Sequence, residues 1–302
     1  MEIKYRVNVK TMSGRGGNAI LKATLKKILN KMPGFKNVLK NVLFVFKPYG
    51  FVGSYIVFPI RHFFRLYIYC PKQYRRIEKL KDAEKGKRCF IVSTGPSLSK
   101  EDIKLLKNEV TFGVNSIYKV FDELQWKPTY YVMTDPILFT NLRKREHIVV
   151  KDFSQKYSIV NSINREKSKD DEKIMYITNC WLDHVYHLGK SKRFKYNEKP
   201  YAGIYDYSSV TQECIYYAMY AGCNEIYLLG ADNNYVGDQQ HFVDVSGMDK
   251  LSYERALDIQ NGNDYAYEYM KKIADSKGVK IYNATRGGRV ETFPRVNLED
   301  IL

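Results

Sequence analysis

The sequence has few cysteines and no pattern that would turn them into a framework. Five cysteines occur in 302 residues, at wide spacings and without a CxxC pair. Neither a set of disulfides nor a cysteine zinc site is therefore expected, and a reducing compartment fits this usage. The run MEIKYRVNVK carries charges where a signal peptide would place its apolar core, so we do not expect secretion.

The sequence also lacks an uncharged run long enough to cross a membrane. The longest has 13 residues, from Pro48 to Ile60, whereas a spanning helix needs about 20 apolar residues. Residues 42–69 are nevertheless rich in aromatic side chains, interrupted by basic residues such as Arg61 and Arg65. This mixture is typical of a segment lying at the level of lipid headgroups, although these side chains could instead pack on the body of the protein.

Acidic residues are scarce in the first third of the chain. Residues 1–90 hold 21 Lys and Arg against 4 Asp and Glu, whereas residues 91–302 hold 28 against 29. A basic arm on a neutral body indicates an anionic partner, either a lipid surface or nucleic acid. No nucleic-acid motif is present. We therefore expect residues 1–70 to bind the cytoplasmic face of a membrane peripherally, and we expect no nucleic-acid partner.

The rest of the chain alternates short apolar runs with helical patterns. This alternation predicts parallel crossover units, and the nearly continuous apolar strands predict an α/β fold with a Rossmann-like, doubly wound and mostly parallel sheet. We divide the chain into a basic amphipathic and aromatic segment with its connector at 1–87, and a nucleotide-binding domain at 88–302 with a lid loop at 233–262. Strands are expected at 88–94, 110–115, 129–135, 147–153, 173–179, 225–232 and 279–285, and helices at 100–108, 117–124, 208–221 and 264–277.

Small or polar residues stand at the carboxyl ends of these strands, where open parallel sheets bind their ligands. The sharpest element is the bend Thr94-Gly95-Pro96-Ser97. Its glycine lets backbone approach a ligand, and the helix that follows offers free N–H groups to a phosphate. The bend could also be a plain strand-to-helix turn. The other residues expected to contact a nucleotide or donor are Asn115, Asp135, Ser208, Ser209, Gly230, Asn234 and Asn283.

Asp232, at the end of the strongest predicted strand, and His241, nine residues later, are candidates for catalytic residues. Asp232 could coordinate a metal or hold a hydroxyl, or it could simply cap a turn. His241 lies in the predicted lid, and an ordinary pKa of about 6.5 suits a general base for an acceptor hydroxyl, although a solvated loop histidine is the alternative. The sequence contains no DxD pair, so we expect no metal and no other cofactor.

The sequence resembles a known family in the block that carries these residues. The run IVSTGPSL at 91–98, Asn115 and the block SSVTQECIYYAMYAGCNEIYLLGAD at 208–232 occur in this order. Together they resemble the small bacterial sialyltransferases of glycosyltransferase family 42, and also the wider group related to hydroxymethylpterin diphosphokinase. The similarity covers roughly residues 88–290.

The resemblance implies a Rossmann-like domain of a variant GT-A type with a lid, and catalysis without a metal. It implies that the turn at 95–97 approaches a CMP phosphate and that Asn115 contacts the donor, while Asp135 falls where the family has an asparagine. It further implies a lid histidine as base and a tyrosine near the leaving phosphate, for which His241 and Tyr235 are the counterparts. A simple alignment instead places the base near Gln260 or Asn261.

Three functions are compatible with the sequence. The leading one is a glycosyltransferase that moves a sugar from a nucleotide donor, CMP-linked on the resemblance, to a glycan or lipid-linked acceptor in cell-surface polysaccharide synthesis. The second is an ATP-dependent phosphoryl or pyrophosphoryl transferase that uses Mg²⁺. The third is a nucleotide-binding scaffold at the membrane without catalysis. Whether the chain forms a homo-oligomer stays open.

Overall fold

The computed structural model describes several parts of the chain. The long parts are residues 71–135, 148–161, 171–180, 196–205, 209–235 and 253–302. The short ones are Leu138–Phe139, Glu146 and five positions between Ile60 and Ile68. The fold belongs to a compact unit at 58–302. Ser208, His241, most of the basic arm and residues 236–252 of the predicted lid lie outside the described residues.

Seven parallel strands form one sheet, which confirms the predicted α/β fold. Their order across the sheet is β5-β4-β3-β2-β1-β8-β9, and the short strands β6 and β7 pair separately. The strands are β1 (Arg88–Val92), β2 (Val110–Val114), β3 (Tyr130–Met133), β4 (Tyr157–Asn161), β5 (Ile174–Ile177), β6 (Asn179–Cys180), β7 (Ile204–Tyr205), β8 (Glu225–Leu229) and β9 (Lys280–Asn283).

Both faces of the sheet are covered, as the apolar strands predict. Successive side chains of a strand point to opposite faces, and in β1 Cys89 and Ile91 join one hydrophobic cluster while Phe90 and Val92 join another. The described α-helices that cover the sheet or join its strands are α1 (Pro71–Arg75), α2 (Lys100–Leu105), α3 (Phe121–Leu124), α4 (Val210–Tyr220) and α5 (Tyr253–Ser276).

Local signals place the helices that follow β1 and precede β8. Ser99 caps α2: its hydroxyl accepts the N–H of Asp102, whose carboxylate accepts the N–H of Ser99, which is the predicted capping box. Ser209 caps α4 by accepting the N–H of Thr211. Gly222 follows the end of α4 with φ of +82°, a left-handed conformation that favours glycine.

The predicted strand at 147–153 is wrong. Val150–Asp152 forms a 3₁₀ turn, and the strand is β4 a few residues later. Its sequence YSIVN carries polar residues, which hid it from a search for apolar runs. Ser158 is nevertheless fully buried, because its hydroxyl bonds to Ser154 and to the carbonyl of Val150.

Helix α5 begins eleven residues before its predicted start, so residues 253–262 are helical and not part of a lid loop. The asparagines and the glycine in QNGND at 260–264 favoured a loop. In the structure two of these polar side chains, Gln260 and Asn263, are buried and bond to the segment that follows β8. Tertiary contacts therefore override the weak local preference.

Core side chains begin before the predicted domain start at residue 88. Tyr74, Ile77 and Leu80 are fully buried in the two hydrophobic clusters. The guanidinium of Arg76 donates to the carbonyls of Asp171 at 2.5 Å and Ile174 at 2.6 Å, which ties this segment to β5. The boundary between 87 and 88 stays a prediction, but the charged sequence before it gives no sign of these buried contacts.

Candidate active site

The strand order reverses at β1, and this reversal fixes where a ligand can bind. Strands β2 to β5 extend from β1 in one direction, and β8 and β9 extend in the other. Connections that leave in opposite directions open a crevice at the carboxyl ends of the two strands. The bend after β1 and the segment after β8 meet there: Gly95 N–H donates to the carbonyl of Gly230 at 2.9 Å.

The predicted phosphate bend after β1 is a closed turn with a carboxylate on it. Leu98 N–H donates to the carbonyl of Gly95 at 3.2 Å. The hydroxyl of Ser97 donates to Oδ2 of Asp232 at 2.8 Å, and the N–H of Ser97 points to the same oxygen at 3.3 Å. The N–H and hydroxyl of Ser97 therefore bind an anionic group, but this group is the carboxylate of Asp232 in the same chain. Both donors of Ser97 are therefore already used.

Glycine is required where the backbone approaches this carboxylate. A Cβ on Gly95 would lie 2.0 Å from Oδ2 of Asp232 and 2.5 Å from the carbonyl oxygen of Gly230. A Cβ on Gly288 would lie 2.5 Å from Cα of Asp232, and its φ is +75°. Asp232 is therefore enclosed by close backbone and is buried.

The loop after β9 covers Asp232 from the other side. Arg289 N–H donates to the carbonyl of Asp232 at 2.9 Å. Asn283, which we predicted to contact the donor, instead holds this loop: its Nδ2 donates to the carbonyl of Val290 at 2.7 Å and its Oδ1 accepts the N–H of Thr285 at 3.0 Å. Its side chain thus fixes the shape of the site rather than facing open space.

An ion pair between an exposed guanidinium and a buried carboxylate anchors the same loop to helix α2. Arg286 donates to both carboxylate oxygens of Asp102, from Nη2 at 2.6 Å and from Nε at 3.1 Å, and also bonds to Glu299. Burial raises the pKa of Asp102, but hydrogen bonds from Arg286 and Ser99 outweigh it and hold that pKa below its ordinary value. Asp102 is therefore ionised at neutral pH and holds the loop in place.

The N-terminus of α4 reaches the same crevice. Oγ1 of Thr211 lies 2.8 Å from Oγ of Ser93, which follows β1 directly. An α-helix carries a partial positive charge and unpaired N–H groups at this end. The predicted contact residue Ser209 is the cap of α4 and stands at the mouth of this region.

Two amide side chains at this edge have atoms without a hydrogen-bond partner. Gln212, in the first turn of α4, is fully buried, and neither its Oε1 nor its Nε2 is bonded. Oδ1 of Asn115, at the end of β2, is buried and equally unbonded, while the backbone of Asn115 has a left-handed φ of +48°. Native proteins seldom bury amides in this state, so a ligand or an ordered water is the expected partner of these atoms. Sequence reasoning missed Gln212, because its helical position looks like any core-facing residue.

The segment after β8 is held by α5. Asn233 donates to Oδ1 of Asp264 at 2.7 Å and accepts from Asn263 at 2.9 Å, and Tyr235 N–H donates to Oε1 of Gln260 at 2.7 Å. Sequence reasoning missed these three partners on α5, because it treated their neighbourhood as a lid.

Tyr235 lies beside the crevice with its phenol in a buried setting. Burial raises the pKa of Tyr235, and a hydrogen bond with Asn263 lowers it by less, so the hydroxyl remains protonated at neutral pH. A protonated phenol can donate a hydrogen bond to an anionic group. Asn234, by contrast, is exposed.

Asp135 behaves as a cap. Its Oδ1 accepts the N–H of Leu138 at 3.1 Å, and its carbonyl accepts the N–H of Phe139. Its side chain is exposed. The structure therefore brings Asp232, Ser97 and the end of α4 together, and it leaves Asp135 at the margin.

The chain has an α/β fold with a seven-stranded parallel sheet and a crevice at the strand-order reversal, which is the candidate ligand site. The model of the 6-hydroxymethylpterin diphosphokinase MptE-like family matches residues 63–238, more than half of the chain. The chain belongs to that family, which confirms one side of the resemblance predicted from the sequence. No curated protein matches the sequence.

Solved structures with a similar fold include glycosyltransferases. The sialyltransferase CstII from Campylobacter jejuni, in complex with a substrate analogue, has 15% identity, a TM-score of 0.45, and coverage of 70% of this chain and 85% of that one. Cst-I from the same organism has 16% identity, a TM-score of 0.41, and coverage of 70% and 80%.

The MAf glycosyltransferase from Magnetospirillum magneticum AMB-1 is similar at 14% identity and a TM-score of 0.43. The match covers 75% of this chain but only 39% of that protein's length. Similarity this distant carries no information about the substrate.

Proposed function

We propose that the protein is a transferase that binds a nucleotide at the carboxyl edge of β1 and β8 and moves a sugar from it to a glycan or lipid-linked acceptor. The observation that carries the proposal is the buried amide of Gln212, whose two polar atoms are unbonded in the first turn of α4, together with the unbonded Oδ1 of Asn115 at the end of β2. A nucleotide combines an anionic phosphate with a base or ribose that exchanges hydrogen bonds with amides. The site offers complements to both parts.

The phosphate is placed against the N-terminus of α4 rather than on Ser97. Asp232 already accepts from both donors of Ser97, and a phosphate there would face a carboxylate of like charge. Gly95 has no side chain, so the backbone of the bend can approach the crevice closely. The hydrogen bond between Ser97 and Asp232 fixes the conformation of the bend. Asn115 and Gln212 then orient the nucleoside.

The proposed reaction uses two further residues. The acceptor hydroxyl attacks the anomeric carbon of the sugar, the bond between that carbon and the phosphate oxygen breaks, and the nucleotide leaves. Tyr235, protonated because burial raises its pKa, donates a hydrogen bond to the departing phosphate. His241 takes the proton of the acceptor hydroxyl, a contribution on the order of 10²–10⁴ in rate.

A second candidate is an ATP-dependent phosphoryl or pyrophosphoryl transferase. Two observations favour it: the chain belongs to a family described after a diphosphokinase, and Asp232 places a carboxylate oxygen at the bend, which is a ligand type that Mg²⁺ prefers. Within the described residues, no group of three His, Cys, Asp or Glu could hold a metal ion. Bound Mg²⁺ would thus depend on phosphate oxygens and water besides Asp232.

A thermal-shift panel with CMP, CDP and ATP, each with and without Mg²⁺, separates the candidates. A nucleotide at a hundred times its Kd stabilises the folded state by about 2.7 kcal/mol, which is easily measured. CMP or CDP stabilisation without metal supports sugar transfer, whereas stabilisation by ATP with Mg²⁺ alone supports the second candidate. No shift with any nucleotide contradicts both.

Catalysis is tested separately from binding. His241→Ala should keep the nucleotide-induced shift and lose nucleotide release in the presence of acceptor. Val149→Ala serves as the control, since Val149 is 51% exposed and is not one of the residues that form the crevice. Equal turnover in His241→Ala and the control would exclude His241 as the base. Nucleotide binding without any turnover by the wild-type protein would leave a nucleotide-binding scaffold as the better account.

A further inference from the structure

Five large apolar side chains lie exposed just before the sheet domain. The exposed fractions are 53% for Ile60, 55% for Phe63, 42% for Phe64, 53% for Tyr67 and 55% for Ile68. We call these five residues the apolar stripe. Elsewhere in the described residues most large apolar side chains are buried in the two hydrophobic clusters, so an exposed apolar group of this size indicates an interaction surface.

The spacing of the stripe is that of one helix face, and its three aromatic rings lie side by side. Its members are spaced i, i+3, i+4, i+7 and i+8, which is the spacing of one helix face. The Phe63 ring centroid lies 5.0 Å from that of Tyr67 and 6.1 Å from that of Phe64. The side chains therefore present aromatic and aliphatic surface side by side.

The charge of the neighbouring sequence selects the kind of partner. Arg61 and Arg65 are interleaved with the stripe in the sequence, and residues 1–90 hold 21 basic against 4 acidic side chains. Apolar and aromatic groups next to Arg and Lys match a lipid surface with anionic headgroups, where the apolar groups enter the acyl boundary and the cations remain at the phosphates. Among the helices of the described segments, none is long and apolar enough to cross a membrane.

We propose that the apolar stripe docks the protein on an anionic membrane surface without crossing it. The stripe supplies the apolar contact, and the basic residues around it supply the preference for anionic lipid. This proposal does not depend on the reaction at the nucleotide site. It concerns a surface that binds lipid whichever transfer the protein catalyses.

Flotation of the full chain with vesicles tests the proposal. The probes are vesicles of phosphatidylcholine alone and of phosphatidylcholine with 30% phosphatidylglycerol (about a third, in the range of anionic leaflets). We expect retention on the anionic vesicles, which falls steeply as salt is raised. The double variant Phe63→Ser/Tyr67→Ser should bind at least about tenfold more weakly, because the apolar contact is lost.

Leu105→Ser is the matched control, since Leu105 is 51% exposed on α2, away from the stripe. It should float like the wild type. Unchanged nucleotide-induced thermal shifts and circular dichroism show that the double variant is folded. Equal flotation of the double variant and the control overturns the proposal. So does loss of a dimer in sedimentation without a change in flotation, which would assign the stripe to a second copy of the chain.

Discussion

At the bend after β1, the backbone of Gly95 passes directly against the carboxylate of Asp232. An alanine methyl at this position would lie 2.0 Å from Oδ2 and 2.5 Å from the carbonyl oxygen of Gly230, so both must move. We expect Gly95→Ala to cost about 1–3 kcal/mol of stability, as overpacking does, and to abolish the nucleotide-induced thermal shift.

Gly278→Ala is the control for a modest loss of stability at a glycine outside the site. Gly278 has a φ of +68° with nothing within 4 Å of an added Cβ, so the variant should lose about 1 kcal/mol and bind nucleotide normally. Chemical unfolding and thermal shift measure both effects. Normal nucleotide binding by Gly95→Ala would mean that the bend does not line the site.

Replacing Gln212 should stabilise the free protein and weaken its binding of nucleotide. Its amide is buried without a partner, and such a group costs about 1–3 kcal/mol of desolvation. Gln212→Met, with similar shape and no amide, should raise the free energy of unfolding by about 1 kcal/mol and weaken nucleotide binding by about tenfold. Urea unfolding and titration calorimetry measure the two quantities.

The matched control for Gln212 is the same substitution at Gln260. Oε1 of Gln260 accepts the N–H of Tyr235 at 2.7 Å, so Gln260→Met should lose about 1–2 kcal/mol of stability. If Gln212→Met also destabilises the free protein and leaves nucleotide binding intact, Gln212 has a structural role only.

At the scale of elements, local chemistry predicted most of the strands and several ends of helices. The capping box at Ser99 and the end of α4 before Gly222 follow from residues close in sequence, and such signals are readable without a structure. The failures at β4 and at the start of α5 share one cause. Polar side chains are buried in both places. The hydroxyl of Ser158 bonds to residues four and eight positions away, and the amide of Gln260 bonds to Tyr235. The pattern of apolar and polar residues does not record these bonds.

The pair between α2 and the loop after β9 gives a pH-dependent prediction. Arg286→Met leaves the buried Asp102 without its guanidinium. Because Arg286 is nearly half exposed and so partly screened, we expect a loss of about 1–3 kcal/mol. Hydrogen bonds from Arg286 hold the pKa of Asp102 below its ordinary value, so the pair stabilises the fold at pH values above about 4.

That stabilisation disappears as pH falls through the lowered pKa of Asp102. The difference in unfolding free energy between Arg286→Met and the wild type should therefore shrink below about pH 4. Arg75→Met is the control: its pair with Glu78, at 3.7 Å, is exposed on both sides, and should be worth less than about 1 kcal/mol. If the difference in unfolding free energy stayed constant down to about pH 3, below the ordinary pKa of an aspartate, this role for the ion pair would be contradicted.

At the scale of the whole molecule, the sequence predicted a parallel sheet but not the order of its strands. Alternating strands and helices give parallel crossovers, whereas the position of β8 next to β1 depends on contacts across more than a hundred residues. The crevice follows from that order. The hydrogen bond between Ser97 and Asp232 forms because β8 lies next to β1. The sequence therefore predicted the bend, but it did not predict that the carboxylate of Asp232 would contact it.

A crystal structure of the full chain with CMP tests the central claim most directly. The phosphate should lie against the N-terminus of α4, and the side chains of Asn115 and Gln212 should gain hydrogen bonds to the nucleoside. A nucleotide bound elsewhere, with both amides still unbonded, would contradict the claim.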